Sequence, residues 1–172
     1  MKRTLSLTAA LLLTASFAYA APEVGDKAPD FKLQGSDGKE HSLKDLAGKT
    51  VVIAWFPKAF TGGCTAECKN MKENGAVIKA FDVAYFTAST DDNDTNTKFA
   101  ESLSLDYPIL SDPGKKTAEA YGVVHEGRQV PERWTFYIGP DGEIQAIDKM
   151  VNTKDAANEI ATQLEELGVQ KK

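Results

Sequence analysis

The sequence predicts an α/β domain built on a mixed central sheet with helices packed against it. Three observations carry that prediction. The apolar run at 50–56 reads as a buried strand, and 82–87, with Val83, Tyr85 and Phe86, as a second core strand. Helical patterns, with apolar residues recurring every three or four positions, follow each run at 61–81 and 93–103. The chain then closes with a strand pair across Gly139-Pro140-Asp141-Gly142 and a final amphipathic helix. Strand, helix, strand, helix, hairpin and helix, in that order, make a layered α/β arrangement with a mixed sheet.

Each element has a local reason. Phe31 to Gln34 and Lys39 to Leu43 flank Gly35-Ser36-Asp37-Gly38, a hairpin turn by its glycine and aspartate content. Thr50 to Phe56 is the central strand. In the helix after it, residues 64, 68, 71, 75 and 78 fall along one face, and the pattern runs on to about Phe81. Asp82 to Thr87 is a second core strand, and Asn93 to Leu103 a second helix, with Asp91 to Asp94 as a solvated loop and cap. Tyr107 to Ser111 is extended, as Pro108 requires of its neighbour, and Lys115 to Tyr121 is a short helix. Arg133 to Ile138 pairs with Glu143 to Met150. The last helix starts near Asn152 or Thr153, buries Ala156, Ile160, Leu164 and Leu167, and stops at Gly168.

The first twenty residues read as a secretory leader: Lys2 and Arg3, an apolar stretch from Leu5 to Phe17, then Ala18-Tyr19-Ala20 as the cleavage site. Cleavage leaves 152 of the 172 residues, at 21–172, enough for one well-cored domain. That part carries 18 Lys and Arg against 25 Asp and Glu, a net charge of −7, which argues against nucleic acid or an anionic lipid surface as partner. The implied location is the periplasm or the exterior. Both cysteines, Cys64 and Cys68, fall in the exported part and enclose only three residues. A bond between them would constrain little chain, so the spacing favours redox chemistry or metal binding over stapling.

Cys64 sits at a strand-to-helix junction, where backbone N–H groups lack partners and the helix dipole is positive. Both favour a thiolate. With Thr61 as N-cap, Cys64 falls in the first helical turn, and Glu67 reads as a dipole partner there. Phe60 lies inside the junction loop and faces substrate, whereas Trp55, Phe56, Phe81, Tyr85 and Phe86 read as core or pocket wall. His41 and His125 read as structural or exposed.

Several motifs resemble the alkyl hydroperoxide reductase/thiol-specific antioxidant family, the peroxiredoxins. They are Asp30-Phe31-x-Leu33, Pro57-x3-Thr61-x2-Cys64, Tyr107-Pro108-Ile109-Leu110-Ser111-Asp112-Pro113, Ala120-Tyr121-Gly122-Val123 and Arg133-x-Thr135-Phe136-x-Ile138-x-Pro140-Asp141-Gly142. The resemblance is nearest to the Q-type, or bacterioferritin-comigratory, branch. It implies a thioredoxin-like fold with an N-terminal β-hairpin extension, and a thiol peroxidase acting on hydrogen peroxide or organic hydroperoxides without metal or cofactor. By position, Cys64 is the peroxidatic nucleophile, Thr61 hydrogen-bonds the peroxide, Pro57 shields the thiolate and Arg133 reaches in from a neighbouring strand. Cys68 resolves the Cys64 sulfenic acid as an intrachain disulfide, and a thioredoxin-like or other thiol reductant restores it in a monomer or homodimer. Two positions depart from the family pattern. Gly62-Gly63 stands where Pro-Gly is common, and the Q-type resolving cysteine usually falls five residues after the nucleophile, where this chain has Lys69.

The chemistry fits those residue types. Charge grows on the leaving oxygen as the O–O bond breaks, so donors must already be in place. Lowering a thiol pKa from about 8.5 to about 6 raises the thiolate fraction at neutral pH roughly thirtyfold, and weaker nucleophilicity takes back part of that gain. One preorganised donor is worth about 10² to 10³, so donors contribute the larger part. The competing reading is a Sco-like copper chaperone, in which Cys64, Cys68 and His125 bind Cu(I) through soft ligands.

Overall fold

The computed structural model describes residues 21–172, so the leader expected at 1–20 lies outside the described residues. Seven strands make one mixed sheet: β1 (Lys32–Gly35), β2 (Glu40–Ser42), β3 (Thr50–Trp55), β4 (Val83–Ser89), β5 (Ile109–Ser111), β6 (Thr135–Ile138) and β7 (Ile144–Asp148). Their spatial order is β2-β1-β5-β4-β3-β6-β7. β3, β4 and β5 run parallel, and every other pairing is antiparallel. The β1–β2 hairpin therefore extends the sheet at one edge, as expected, and turns through Gly38 at φ +77°.

β3 is central, and all six of its residues are buried. Val51, Ile53 and Trp55 face one apolar cluster with Phe86, Tyr121, Phe136 and Ile138. Val52 and Ala54 face another with Met71, Ile78, Tyr137, Ile160 and Leu164. A strand covered on both sides needs apolar side chains at every position, which is why no alternation marks it in the sequence.

Among the described residues five α-helices cover the sheet: α1 (Gly62–Glu73), α2 (Ala76–Lys79), α3 (Asn93–Leu103), α4 (Lys116–Ala120) and α5 (Ala156–Glu166). None is long and apolar enough to cross a membrane. α3 starts as expected, with Asp92 Oδ1 accepting from Thr95 N at 2.7 Å. Several boundaries differ from the sequence reading. β5 begins only at Ile109, and β6 only at Thr135, so Arg133 belongs to the segment leading into that strand rather than to the strand. α5 begins at Ala156, because the residues before it form a turn in which Asn152 Oδ1 accepts from Lys154 N.

The helix read as continuous to Phe81 breaks at Asn74 and Gly75. Gly75 N turns to Lys72 O at 3.3 Å, which tightens the last turn and redirects α2. A Cβ at Gly75 would sit 2.6 Å from the Met71 carbonyl oxygen and 3.4 Å from the Tyr85 hydroxyl. Only glycine permits that close approach. Gly75→Ala is accordingly expected to cost about 1–3 kcal/mol through overpacking against backbone, with Tm lowered by roughly 3 °C or more. An unchanged Tm in a thermal melt would refute this account of the break.

Candidate active site

β3 and β4 are parallel, so their carboxyl ends open at the same edge of the sheet, with Trp55 opposite Ala88. The chain leaves β3 there and enters α1 through residues 56–61. That loop is fixed at both ends. Phe56 N donates to Ala88 O at 2.9 Å, and Ala59 N to Asp91 Oδ2 at 2.8 Å. Ser89 Oγ donates to the same carboxylate oxygen at 3.0 Å. Asp91, expected to be merely solvated, is a half-buried anchor for the loop.

Phe60 takes φ +62°, a left-handed conformation that costs a residue with a bulky side chain about 1–3 kcal/mol. Its ring stays 57% exposed and leans on Phe99 with centroids 5.0 Å apart. The surrounding contacts thus hold an aromatic edge at the rim of the loop, where the sequence had Phe60 face substrate. Pro57 is half-buried at the start of the loop.

Thr61 occupies the N-cap position of α1 with extended backbone, but its side chain does not cap the helix. Instead its Oγ1 donates to Lys58 O at 2.8 Å. The hydroxyl hydrogen is thereby engaged within the loop, and the oxygen lone pairs are left to accept. The cap expected from sequence is corrected in that sense. The first turn of α1 leaves its N–H groups without intrahelical partners.

Cys64 lies in that turn and is 1% exposed. Arg133 Nη2 donates to its Sγ at 3.4 Å. Gly63 makes room for the guanidinium, since a Cβ there would sit 3.3 Å from Nη2. The other terminal nitrogen, Nη1, is paired with Glu67 Oε2. Glu67 is not the first-turn dipole partner its position suggested. It is completely buried, and its second oxygen, Oε1, has no partner among the described residues. Burial pushes its carboxyl up to about 7, Arg133 opposes that rise and the charge of Asp148 adds to it. Burial works against the charge of Arg133 too, but Glu67 and Cys64 outweigh it and hold the guanidinium more firmly protonated than usual.

Cys68 is fully buried among Phe56, Ala59, Phe99 and Ile109. Burial, and then the nearby Glu67, push its thiol far up. Tyr107 donates its hydroxyl to the Cys68 carbonyl at 3.0 Å. Both cysteines are unbonded. The copper set is not assembled. Among the described residues no three His, Cys, Asp or Glu side chains are grouped to hold a metal. His125 lies against the Glu126 carbonyl and the Glu132 carboxylate. A groove of about 1040 Å³ opens elsewhere, between Phe31, Lys44, Asp112 and Thr117, and none of the site residues lines it.

Sequence reasoning had Cys64, Thr61, Pro57 and Arg133 in hand but misread Glu67. A glutamate three residues after Cys64 shares its helix face, and that spacing was the available signal. The AhpC/TSA family model matches residues 24–147.

The chain belongs to the AhpC/TSA family.

Among its curated relatives, peroxiredoxin Bcp of Bacillus subtilis strain 168 is 31% identical over 151 residues, covering 84% of this chain and 96% of that protein. Peroxiredoxin Bcp of Escherichia coli K12 is 32% identical over 131 residues, covering 73% and 84%. The crystal structure of peroxidoxin BcpB from Mycobacterium tuberculosis superposes with a TM-score of 0.75 at 27% identity, over 84% of this chain and 97% of that one. A Xylella fastidiosa PrxQ mutant superposes at 0.79 over 87% and 99%, and at 20% identity it speaks to fold alone. These matches agree with the Q-type resemblance within the AhpC/TSA family, and they give the mixed sheet its thioredoxin-like class.

Proposed function

We propose that this protein is a thiol peroxidase that reduces hydrogen peroxide or organic hydroperoxides through Cys64. The observation that carries the reading is the Arg133 Nη2 contact on Cys64 Sγ in the first turn of α1. It supplies what peroxide cleavage needs, a sulfur nucleophile and a charged donor held in one place. The names of the AhpC/TSA relatives support the same activity.

The Cys64 thiolate attacks the terminal oxygen of the hydroperoxide. The S–O bond forms as the O–O bond breaks, sulfur loses two electrons, and the departing alkoxide takes a proton to become an alcohol. Thr61 already donates to Lys58 O, so its oxygen accepts the peroxide O–H and orients the molecule. Arg133 and the free N–H groups of α1 meet the developing negative charge. Pro57 and the Phe60 edge keep water from the sulfur.

The sulfenic acid is then resolved by Cys68, whose thiol displaces water to give an intrachain disulfide. Cβ atoms four residues apart on a helix lie about 5–6 Å from each other, and a disulfide wants about 3.5–4.5 Å. Residues 61–69 must therefore unwind. The end of the unwinding unit is marked by Asn70, whose Nδ2 donates to Lys154 O at 2.7 Å and whose Oδ1 accepts from Ala157 N at 3.0 Å. Gly62-Gly63 eases deformation at the other end. A thioredoxin-like or other dithiol returns the disulfide to two thiols. With the leader at 1–20, we place the protein in the periplasm or outside the cell. It works as a monomer or homodimer.

Rapid mixing of reduced protein with peroxide, followed by tryptophan fluorescence, tests this reading, because Trp134 neighbours Arg133. Cys64→Ser is expected to abolish the signal and peroxide consumption. Thr61→Val should slow the reaction by about 10² through lost orientation of the peroxide, and Thr61→Ser much less, because it keeps the acceptor oxygen. Turnover by Cys64→Ser would refute the function. Mass spectrometry after one equivalent of peroxide tests the second step. The wild type should lose two hydrogens, and Cys68→Ser should gain one oxygen and pass to sulfinate at higher dose. A stable gain of one oxygen in the wild type would make Cys68 a bystander.

A further inference from the structure

Glu67 is the one charged group at the site that the peroxidase reaction above does not use. It is completely buried, and its only partner among the described residues is Arg133. Arg133 does not clasp the carboxylate with two parallel bonds. It spends one terminal nitrogen on Glu67 and the other on Cys64 Sγ, so a single cation stands between two acids. The groups that face Glu67 from the other elements do not relieve this. Asp148 on β7 adds negative charge. Tyr107, ahead of β5, and Cys68, one residue along α1, are buried and held neutral. Among the described residues, Arg133 is thus the only cation acting on the carboxylate.

One guanidinium balances one buried anion. A thiolate and a carboxylate together would leave an excess negative charge inside the protein, and two like charges at such a site do not both ionise readily. The orphaned Oε1 points the same way, since an unpartnered oxygen costs more on a buried carboxylate than on a neutral carboxyl.

We propose that Cys64 and Glu67 share one proton across Arg133, so that the thiolate forms as the Glu67 carboxyl becomes neutral. In this exchange Cys64–SH and Glu67–COO⁻ become Cys64–S⁻ and Glu67–COOH through water at the mouth of the site, with no change in net charge. After attack, the sulfenic oxygen keeps the hydrogen of the hydroperoxide and the alkoxide takes one proton. Glu67, no longer opposed by a thiolate, returns to the carboxylate paired with Arg133. Glu67 is thus a positioning residue that acts through Arg133, and it sets the pH at which the nucleophile appears.

The two acids must titrate as a coupled pair, each moving the other by the same amount. The inference rests on Cys64 being the reacting thiol, so the test omits peroxide, and turnover by Cys64→Ser would count against that reading alone. Thiolate absorbance of Cys64, followed in Cys68→Ser protein to leave one thiol, should shift its midpoint down by about one pH unit or more when Glu67→Gln is added. A midpoint that stays or rises would overturn the proposal, since a glutamate that only orients Arg133 predicts that result. Carboxyl ¹³C NMR of Glu67 gives the reciprocal measurement without relying on the glutamine variant. Reduced wild type should show a step that tracks thiolate formation, and Cys64→Ser should lose that step and titrate lower. A single unshifted step in both proteins would overturn the proposal as well.

Discussion

Arg133 ties together parts of the chain that are far apart in sequence. It leaves the segment before β6, crosses the first turn of α1 over Gly63, and ends between the sulfur of Cys64 and the carboxylate of Glu67. Several other features make sense only around it. Glycine at residue 63 leaves space for the guanidinium, which passes 3.3 Å from where a Cβ would stand. Glu67 can be buried because a fixed cation meets it. Residues 56–61 need anchoring, through Asp91 and β4, because a loop free to drift would carry Cys64 away from its donor.

The fold supplies that geometry by exploiting the end of a parallel strand pair. β3 and β4 deliver their carboxyl ends side by side, and the helix that follows β3 presents unsatisfied N–H groups at the same edge. β6, antiparallel to β3, brings its incoming segment to that edge as well, with Ala54 opposite Thr135. Sulfur, guanidinium and helix N-terminus meet without any long loop having to fold over them. The same construction separates the two thiols by role. Both thiols lie in one apolar cluster, but Cys64 touches the Arg133 donor, whereas burial holds Cys68, one turn later, neutral.

Much of this was legible in the sequence. Strands buried on both faces write long apolar runs, so β3 and β4 were plain, and the turns at Gly38 and Gly142 declare themselves through glycines at positive φ. Helix boundaries set by tertiary contact were not. The break at Gly75 depends on Tyr85 and the Met71 carbonyl, and neither is encoded in helical periodicity. Glu67 was misread for a similar reason. A glutamate near a helix start ordinarily serves the dipole, and its burial follows from an arginine 66 residues away. Arg133 itself was visible only through the family resemblance, because nothing local separates it from a surface ion-pair residue.

The central claim is that Arg133 acts by its forked geometry, holding sulfur and carboxylate at once, and not by charge alone. Lysine keeps the charge but offers one compact ammonium in place of two directed nitrogens. The direct measurement is the second-order rate constant of reduced Arg133→Lys with hydrogen peroxide, beside that of the wild type at matched pH. A loss of about 10² with the fold intact is the result this account predicts. A rate equal to that of the wild type would contradict it.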